Sequence, residues 1–219
     1  MRRHFFSGSE RRGYHHGQLK DALLDAARIL VAERGASGFT LAEAAKRVGV
    51  TGAAPYRHFS DRNALMAELA RRGFELFGQR LAGAWDEGRP DPVTAFRRMG
   101  NAYGAFAREE PGLYAAMFAD CGETGIEDMA AAAKSLTLLE GAARAILLHF
   151  SADPAGAGGL ALEIWAFSHG VAMLSLSGHL NPARAGRNAA DIAAQGAAAL
   201  IEMAVRRGGG QPAGAGAAR

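Results

Sequence analysis

The chain has 219 residues, of which 49% are hydrophobic and 21% charged. That balance supports one or two globular domains with a sizeable core and excludes a fibrous or low-complexity chain. The single cysteine, Cys121, excludes an intramolecular disulfide and fits a reducing cytoplasm, and Met1–Phe6 has no secretory apolar run behind it. The net charge of +3 is unevenly spread: residues 1–62 hold eleven Lys and Arg against six Asp and Glu, and the remainder fourteen against sixteen. The positive excess therefore sits on the first quarter of the chain, as in a protein that meets a polyanion there.

Residues 1–15 are polar and basic, and are expected to form a mobile arm that either adds phosphate or minor-groove contacts or plays no part. A first helix is predicted over residues 18–34, with Leu19, Leu23, Ala27, Leu30 and Val31 as its buried face and Gly35 as its stop. Thr40 and Glu43 then form a Thr-x-x-Glu capping box. Leu41, Ala44, Ala45 and Val48 recur at helical spacing, and Gly49 ends this second helix through a left-handed residue. A third, short helix is predicted from Thr51 or Gly52 to Phe59, with Pro55 tolerated in its first turn. Its opening, Thr51-Gly52-Ala53-Ala54, is small enough for the backbone to approach a groove wall. Tyr56 and His58 offer hydrogen-bond donors to phosphate, and Arg57 adds a permanent charge. Ser60 is expected to cap the next helix, with Asp61 and Asn63 in its first turn.

That fourth helix, over residues 61–87, carries Leu65, Leu69, Phe74, Phe77, Leu81 and Trp85 on one side. A Gly-Arg-Pro-Asp-Pro breaker comes next, then a helix over 93–108 with Phe96, Met99, Tyr103 and Phe106 on one face. A short helix carries Leu113, Tyr114, Met117 and Phe118, and a longer one covers 126–150. The next, over 155–180, is apolar nearly all round. Its stretch 160–180 is long enough to cross a bilayer, but Glu163, Ser168, His169, Ser175 and Ser177 favour a helix buried on several sides by protein. A last helix over 188–207 has a seam of small residues, Ala193, Gly196, Ala197 and Leu200, and the tail 208–219 is expected to be disordered.

The run Thr40, Ala45, Gly49-Val50, Tyr56-Arg57-His58-Phe59, Arg62 and Leu65 resembles the DNA-binding pattern of the tetracycline-repressor (TetR/AcrR-type) transcriptional regulators. Thr51 stands where that family often has Ser, Ala53 where it has Gly, Pro55 where it has a non-proline apolar residue, and Arg62 where it has Lys. The segment Trp165-Ala166-Phe167-Ser168-His169-Gly170 resembles a Trp-His-Gly signature of one subgroup. The resemblance implies an all-α chain: an N-terminal three-helix helix-turn-helix module, residues 16–62 with the motif at 40–59, then a helical-bundle ligand-binding and dimerisation domain, residues 63–207. It implies a cytoplasmic, homodimeric regulator, more often a repressor, that binds a double-stranded DNA operator and answers to a small, mostly apolar effector.

The residues expected at DNA are Thr40, Thr51, Gly52, Ala54, Tyr56, Arg57, His58 and Arg62. Those expected around an effector are Tyr103, Phe106, Tyr114, Phe118, Trp165, His169 and Met173, although aromatic residues at helical spacing equally read as core. The seam Ala193, Gly196, Ala197 and Leu200 is the expected dimer contact. No cofactor, metal, membrane partner or catalytic residue is expected, since the seven histidines lack metal-ligand spacing and no nucleophile elbow or phosphate loop is visible. Two other readings stay open on residues alone: an all-helical ligand-binding protein or enzyme with an incidental helix-turn-helix, and an oligomerising adaptor.

Overall fold

A computed structural model describes residues 16–119, 126–180 and 186–211. Cys121, the arm 1–15 and the last eight residues lie outside that set. Among the described residues the architecture is all-α, with helices α1 (His16–Arg34), α2 (Leu41–Val48), α3 (Arg62–Trp85), α4 (Pro92–Glu109), α5 (Pro111–Met117), α6 (Ile126–His149), α7 (Ala157–Leu176) and α8 (Ala189–Arg207).

The spine is α3, which packs on α1 at one end and on α4, α5 and α6 along its length. Its predicted apolar face is the one used: Leu65, Leu69, Phe74, Phe77 and Leu81 are all buried. Asp61, rather than Ser60, caps it, accepting the Ala64 N–H at 2.8 Å from an extended backbone. Asp86 ends it in the left-handed region, at φ 46°. The Asp91-Pro92 pair opens α4 in the same way, with Asp91 accepting from Thr94 at 2.9 Å and Pro in the first turn.

The N-terminal module is tied to the rest at a close backbone approach. At Gly112, in α5, an added Cβ would lie 2.0 Å from the Arg28 carbonyl oxygen of α1. Arg28 also reaches Glu110 at 3.2 Å. Further along α1, Lys20 and Asp21 pair with Glu68 and Arg72 of α3 at 3.0 and 2.7 Å. The Arg71 guanidinium and Lys20 hold the Glu68 carboxyl down at about 2.

Three features differ from expectation. The helix predicted over 155–180 ends at Leu176, because Gly178 enters the left-handed region at φ 74° and the Leu180 N–H returns to the Leu174 carbonyl. It is also buried on one side only. Leu160, Ala161, Ile164, Val171 and Ala172 face the core, while Leu162, Met173, Leu174 and Leu176 are exposed. Pro154–Leu176 is, among the described residues, the one helical stretch long and apolar enough to cross a membrane, yet α7 packs against α4, α6 and α8. Finally, Gly208–Gln211 is anchored instead of loose: the Asp153 N–H donates to the Gly208 carbonyl at 2.9 Å, and the Gln211 N–H to the Phe150 carbonyl at 3.2 Å.

Candidate DNA interface and ligand cavity

The capping box at Thr40 is complete. Glu43 N–H donates to Thr40 Oγ1 at 3.2 Å, and Thr40 N–H donates to Glu43 Oε2 at 2.8 Å. Such a cap is worth about 1 kcal/mol. Gly49 closes α2 at φ 82°, and its N–H reaches the Ala45 and Lys46 carbonyls. Ala44 and Ala45 are fully buried, so α2 lies close against α1.

The helical segment after Gly49 is shorter than predicted: one 3-10 turn, Ala54–Arg57. Proline is the physical reason. Pro55 has no N–H, so the bond back to Thr51 that an α-helix needs there cannot form. Ala54 bonds instead to the Thr51 carbonyl at 3.0 Å, and the first bond of α-helical span is Phe59 N–H to Pro55 O, also 3.0 Å. By then the chain has reached the Ser60-Asp61 entry to α3.

Pro55 and Phe59 are buried and pin this turn to the module. Thr51, Gly52, Ala53 and Arg57 point to solvent, and Tyr56 is 62% exposed. Ala54 and His58 are half-buried. Two of the residues expected at DNA are engaged within the module. Thr40 spends its hydroxyl on Glu43, donating at 3.0 Å. Arg62 donates through Nε to the Phe39 carbonyl at 3.1 Å and lies 5.1 Å from the centre of the Phe39 ring. Arg47 of α2 is bound by Glu33 at 2.9 and 3.0 Å, whereas Lys46 and Arg57 have no ion-pair partner among the described residues.

The second feature is a cavity of about 850 Å³ bounded by α3, α4, α6, α7 and α8, toward the upper end of the range for small-molecule sites. Of the seven residues expected around an effector, Tyr103 and Trp165 line it. Phe106 and Tyr114 are fully buried behind that wall. Phe118 stacks at 4.2 Å from His169 and 5.1 Å from Tyr114, as part of the packed aromatic layer. Met173 is 43% exposed on the outer side of α7. The expected set omits the opposite wall, which is mostly alanine from α8, and also Ser135 of α6 and the Arg97–Asn101–Arg108 edge of α4. Spacing along α4 is the signal available for that edge, since positions 97, 101, 104 and 108 share one face.

A polar thread runs through the aromatic layer. Tyr103 and Tyr114 hydroxyls lie 3.0 Å apart, and Tyr114 is 2.9 Å from His169 Nδ1. Burial pushes the Tyr103 phenol up to about 12, raises that of Tyr114 further, and lowers the His169 imidazole. All three are therefore neutral at pH 7.

Part of the seam predicted for a dimer also packs within the chain. An added Cβ at Gly196 would lie 2.1 Å from the Phe167 ring of α7; Ala197 and Leu200 pack on the core, and Ala193 and Ala197 line the cavity. Among the described residues no group of His, Cys, Asp or Glu is placed to hold a metal ion.

Similarity to known proteins divides the chain in the same way. The sequence model for bacterial regulatory proteins of the tetR family matches residues 23–69, and that for the tetracyclin repressor-like C-terminal domain matches residues 96–200. The uncharacterized HTH-type transcriptional regulator YobS of Bacillus subtilis (strain 168) is 32% identical over 100 residues, which cover 46% of this chain and 51% of YobS. The match thus spans about half the length of that relative. A protein of unknown function from Rhodococcus sp. RHA1 has the same fold at a TM-score of 0.75 and 27% identity, over 89% of this chain and 100% of that one. PfmR, a TetR family transcriptional regulator from Thermus thermophilus, shares the fold at a TM-score of 0.64 and 16% identity, over 84% and 97% of the two chains. One matching model lies on the capped turn and the other on the helices around the cavity, and together they make this chain a member of the tetracycline-repressor family of DNA-binding transcriptional regulators.

Proposed function

We propose that the chain is a homodimeric repressor that holds a double-stranded operator through the turn after α2 and leaves it when a small molecule fills the cavity. The observation that carries the reading is the turn itself. Buried Pro55 and Phe59 anchor it, so that Thr51, Gly52, Tyr56 and Arg57 are presented outward on a rigid base. Small residues let the backbone approach a groove wall, while the tyrosine hydroxyl, the Arg57 guanidinium and His58 serve phosphate contacts. Thr40 and Arg62 support the same surface from within, by fixing the starts of α2 and α3.

One such turn reads few base pairs, so two heads are needed, about 34–36 Å apart or a multiple of it. The face suited to a second copy is the exposed apolar side of α7, Leu162, Met173, Leu174 and Leu176, with Met203 of α8. Exposed apolar side chains gathered on one side of a helix suit an interaction surface. The cavity lies beside α7 and α8 and behind the α3–α4–α5 core that meets α1, so a ligand there biases the spacing of the heads. The test is a gel shift on DNA flanking the encoding gene at two salt concentrations, with light scattering for the mass in solution. Retardation that weakens with salt, from a particle of twice the chain mass, supports the reading; a monomer that retards no flanking fragment refutes it.

A further inference from the structure

The charges on the cavity rim narrow what the cavity accepts. The walls are alanine, leucine, isoleucine and phenylalanine, and the charged lining residues are Arg97, Arg108, Arg206 and Glu202. Three cations stand against one carboxylate, and Arg206 already takes that carboxylate at 2.5 Å. Arg97 and Arg108 have no hydrogen-bond or ion-pair partner among the described residues. Both line the cavity from the same face of α4, eleven residues apart, or about 16 Å along the helix.

The two ends of this groove differ. The start of α4 adjoins the end of α6, where His149 lies near Asp91. The end of α8 returns to the same corner, where Gly208 and Gln211 bond to Asp153 and Phe150. Glu202 and Arg206 thus lie toward the Arg97 end, where the lining already holds a carboxylate paired with Arg206. At the Arg108 end no acidic residue lines the cavity, and the nearby Glu109 and Glu110 are held by Arg80 and Arg28.

We propose that the effector is an amphipathic carboxylate, an elongated hydrocarbon body lying along the alanine wall with its head group on Arg108. An unpaired guanidinium beside apolar walls favours that chemistry over a neutral or cationic body of equal size, because guanidinium and carboxylate match in charge and in fork geometry. The proposal rests on the cavity being the effector site. It replaces the expectation of a mostly apolar ligand with one of stated charge.

The test uses the full chain with Trp85→Phe, leaving the cavity-lining Trp165 as the one indole reporter. Dodecanoate, dodecanol and dodecyltrimethylammonium are titrated below their micellar concentrations, with calorimetry as a second readout. Dodecanoate is expected to bind about tenfold more tightly than dodecanol, and dodecyltrimethylammonium most weakly. That preference should shrink with added salt, since the rim is exposed. Arg108→Gln should abolish the preference while leaving dodecanol affinity unchanged, and Arg97→Gln should keep it; thermal melts confirm that both variants fold. Equal affinity for acid and alcohol overturns the proposal, as does a preference that depends on Arg97 and not on Arg108. A gel shift separates it from the regulator reading. Arg108-dependent carboxylate binding that leaves promoter DNA bound upholds the ligand class and sinks the release mechanism. Release by a neutral compound, with no carboxylate bound, does the reverse.

Discussion

Gly112→Ala is the sharpest test of how the DNA module is joined to the regulatory helices. In an ordinary helix the change stabilises, by up to about 1 kcal/mol. Here the new methyl carbon would lie 2.0 Å from the Arg28 carbonyl oxygen and 3.2 Å from Arg28 Cγ. A carbon meets a carbonyl oxygen no closer than about 3.3 Å, so α5 must withdraw from α1 by roughly 1.3 Å. The obstacle is main chain, which cannot rotate away. Overpacking of this kind costs about 1–3 kcal/mol, which outweighs the propensity gain and lowers Tm by several degrees in a chain of this size. The control is Gly83→Ala on α3, where an added Cβ meets nothing within 4 Å and a small stabilisation is expected. Urea and thermal unfolding of both variants decide the matter. If Gly112→Ala proves as stable as Gly83→Ala, the tight α1–α5 junction is wrong. If it unfolds earlier, ligand-induced DNA release should also change, because the moved helix carries Glu110 away from Arg28.

Other outcomes rest on the same geometry. Thr40→Ala removes the hydroxyl that accepts the Glu43 N–H and should cost about 1 kcal/mol in urea unfolding, with weakened DNA retention as a consequence. Tyr56→Ala and Arg57→Ala alter exposed groups, so stability should hold while operator affinity falls; for Arg57→Ala the slope of log K against log salt should drop by about one. Acid should act in two stages. The lowered His169 imidazole contributes stability that is complete above its unfolded value near 6.5 and is lost as pH falls, so His169→Gln should flatten that part of a stability–pH curve. Glu68, held down at about 2 from 4.5, contributes stability lost between those values, and Glu68→Gln should shrink the second stage while leaving the first unchanged.

Much of this architecture is legible in the sequence because its signals are local. A capping box, a left-handed glycine and an Asp-Pro helix start each act within four residues, and the apolar faces of α1, α3 and α4 follow from spacing. Pro55 is the local signal that misleads: proline suits the first turn of a helix, yet here its missing N–H leaves only one 3-10 turn. Tertiary features are harder. Gly112 and Gly196 carry no sequence mark that says which backbone or ring approaches them. Alanine on α8 reads equally as seam, core or cavity wall, and only the packing of Phe167 on Gly196 shows which ring of the same chain meets that position. Arg97 and Arg108 have the spacing of an ordinary solvated face, and only the position of α8 opposite them makes that face a rim.

The alanine wall also sets how such a chain can change. Ala189, Ala190, Ala193, Ala194, Ala197 and Ala198 all line the cavity, each with a methyl where a larger side chain would fit. Swapping one of them for valine or leucine trims the chamber by a few methylenes without touching α1, α2 or the turn at Pro55. Under the function proposed above, chemical selectivity is thereby uncoupled from operator choice, and a lineage of such proteins can take up new inducers by single substitutions along one strip of helix while continuing to govern the same promoters.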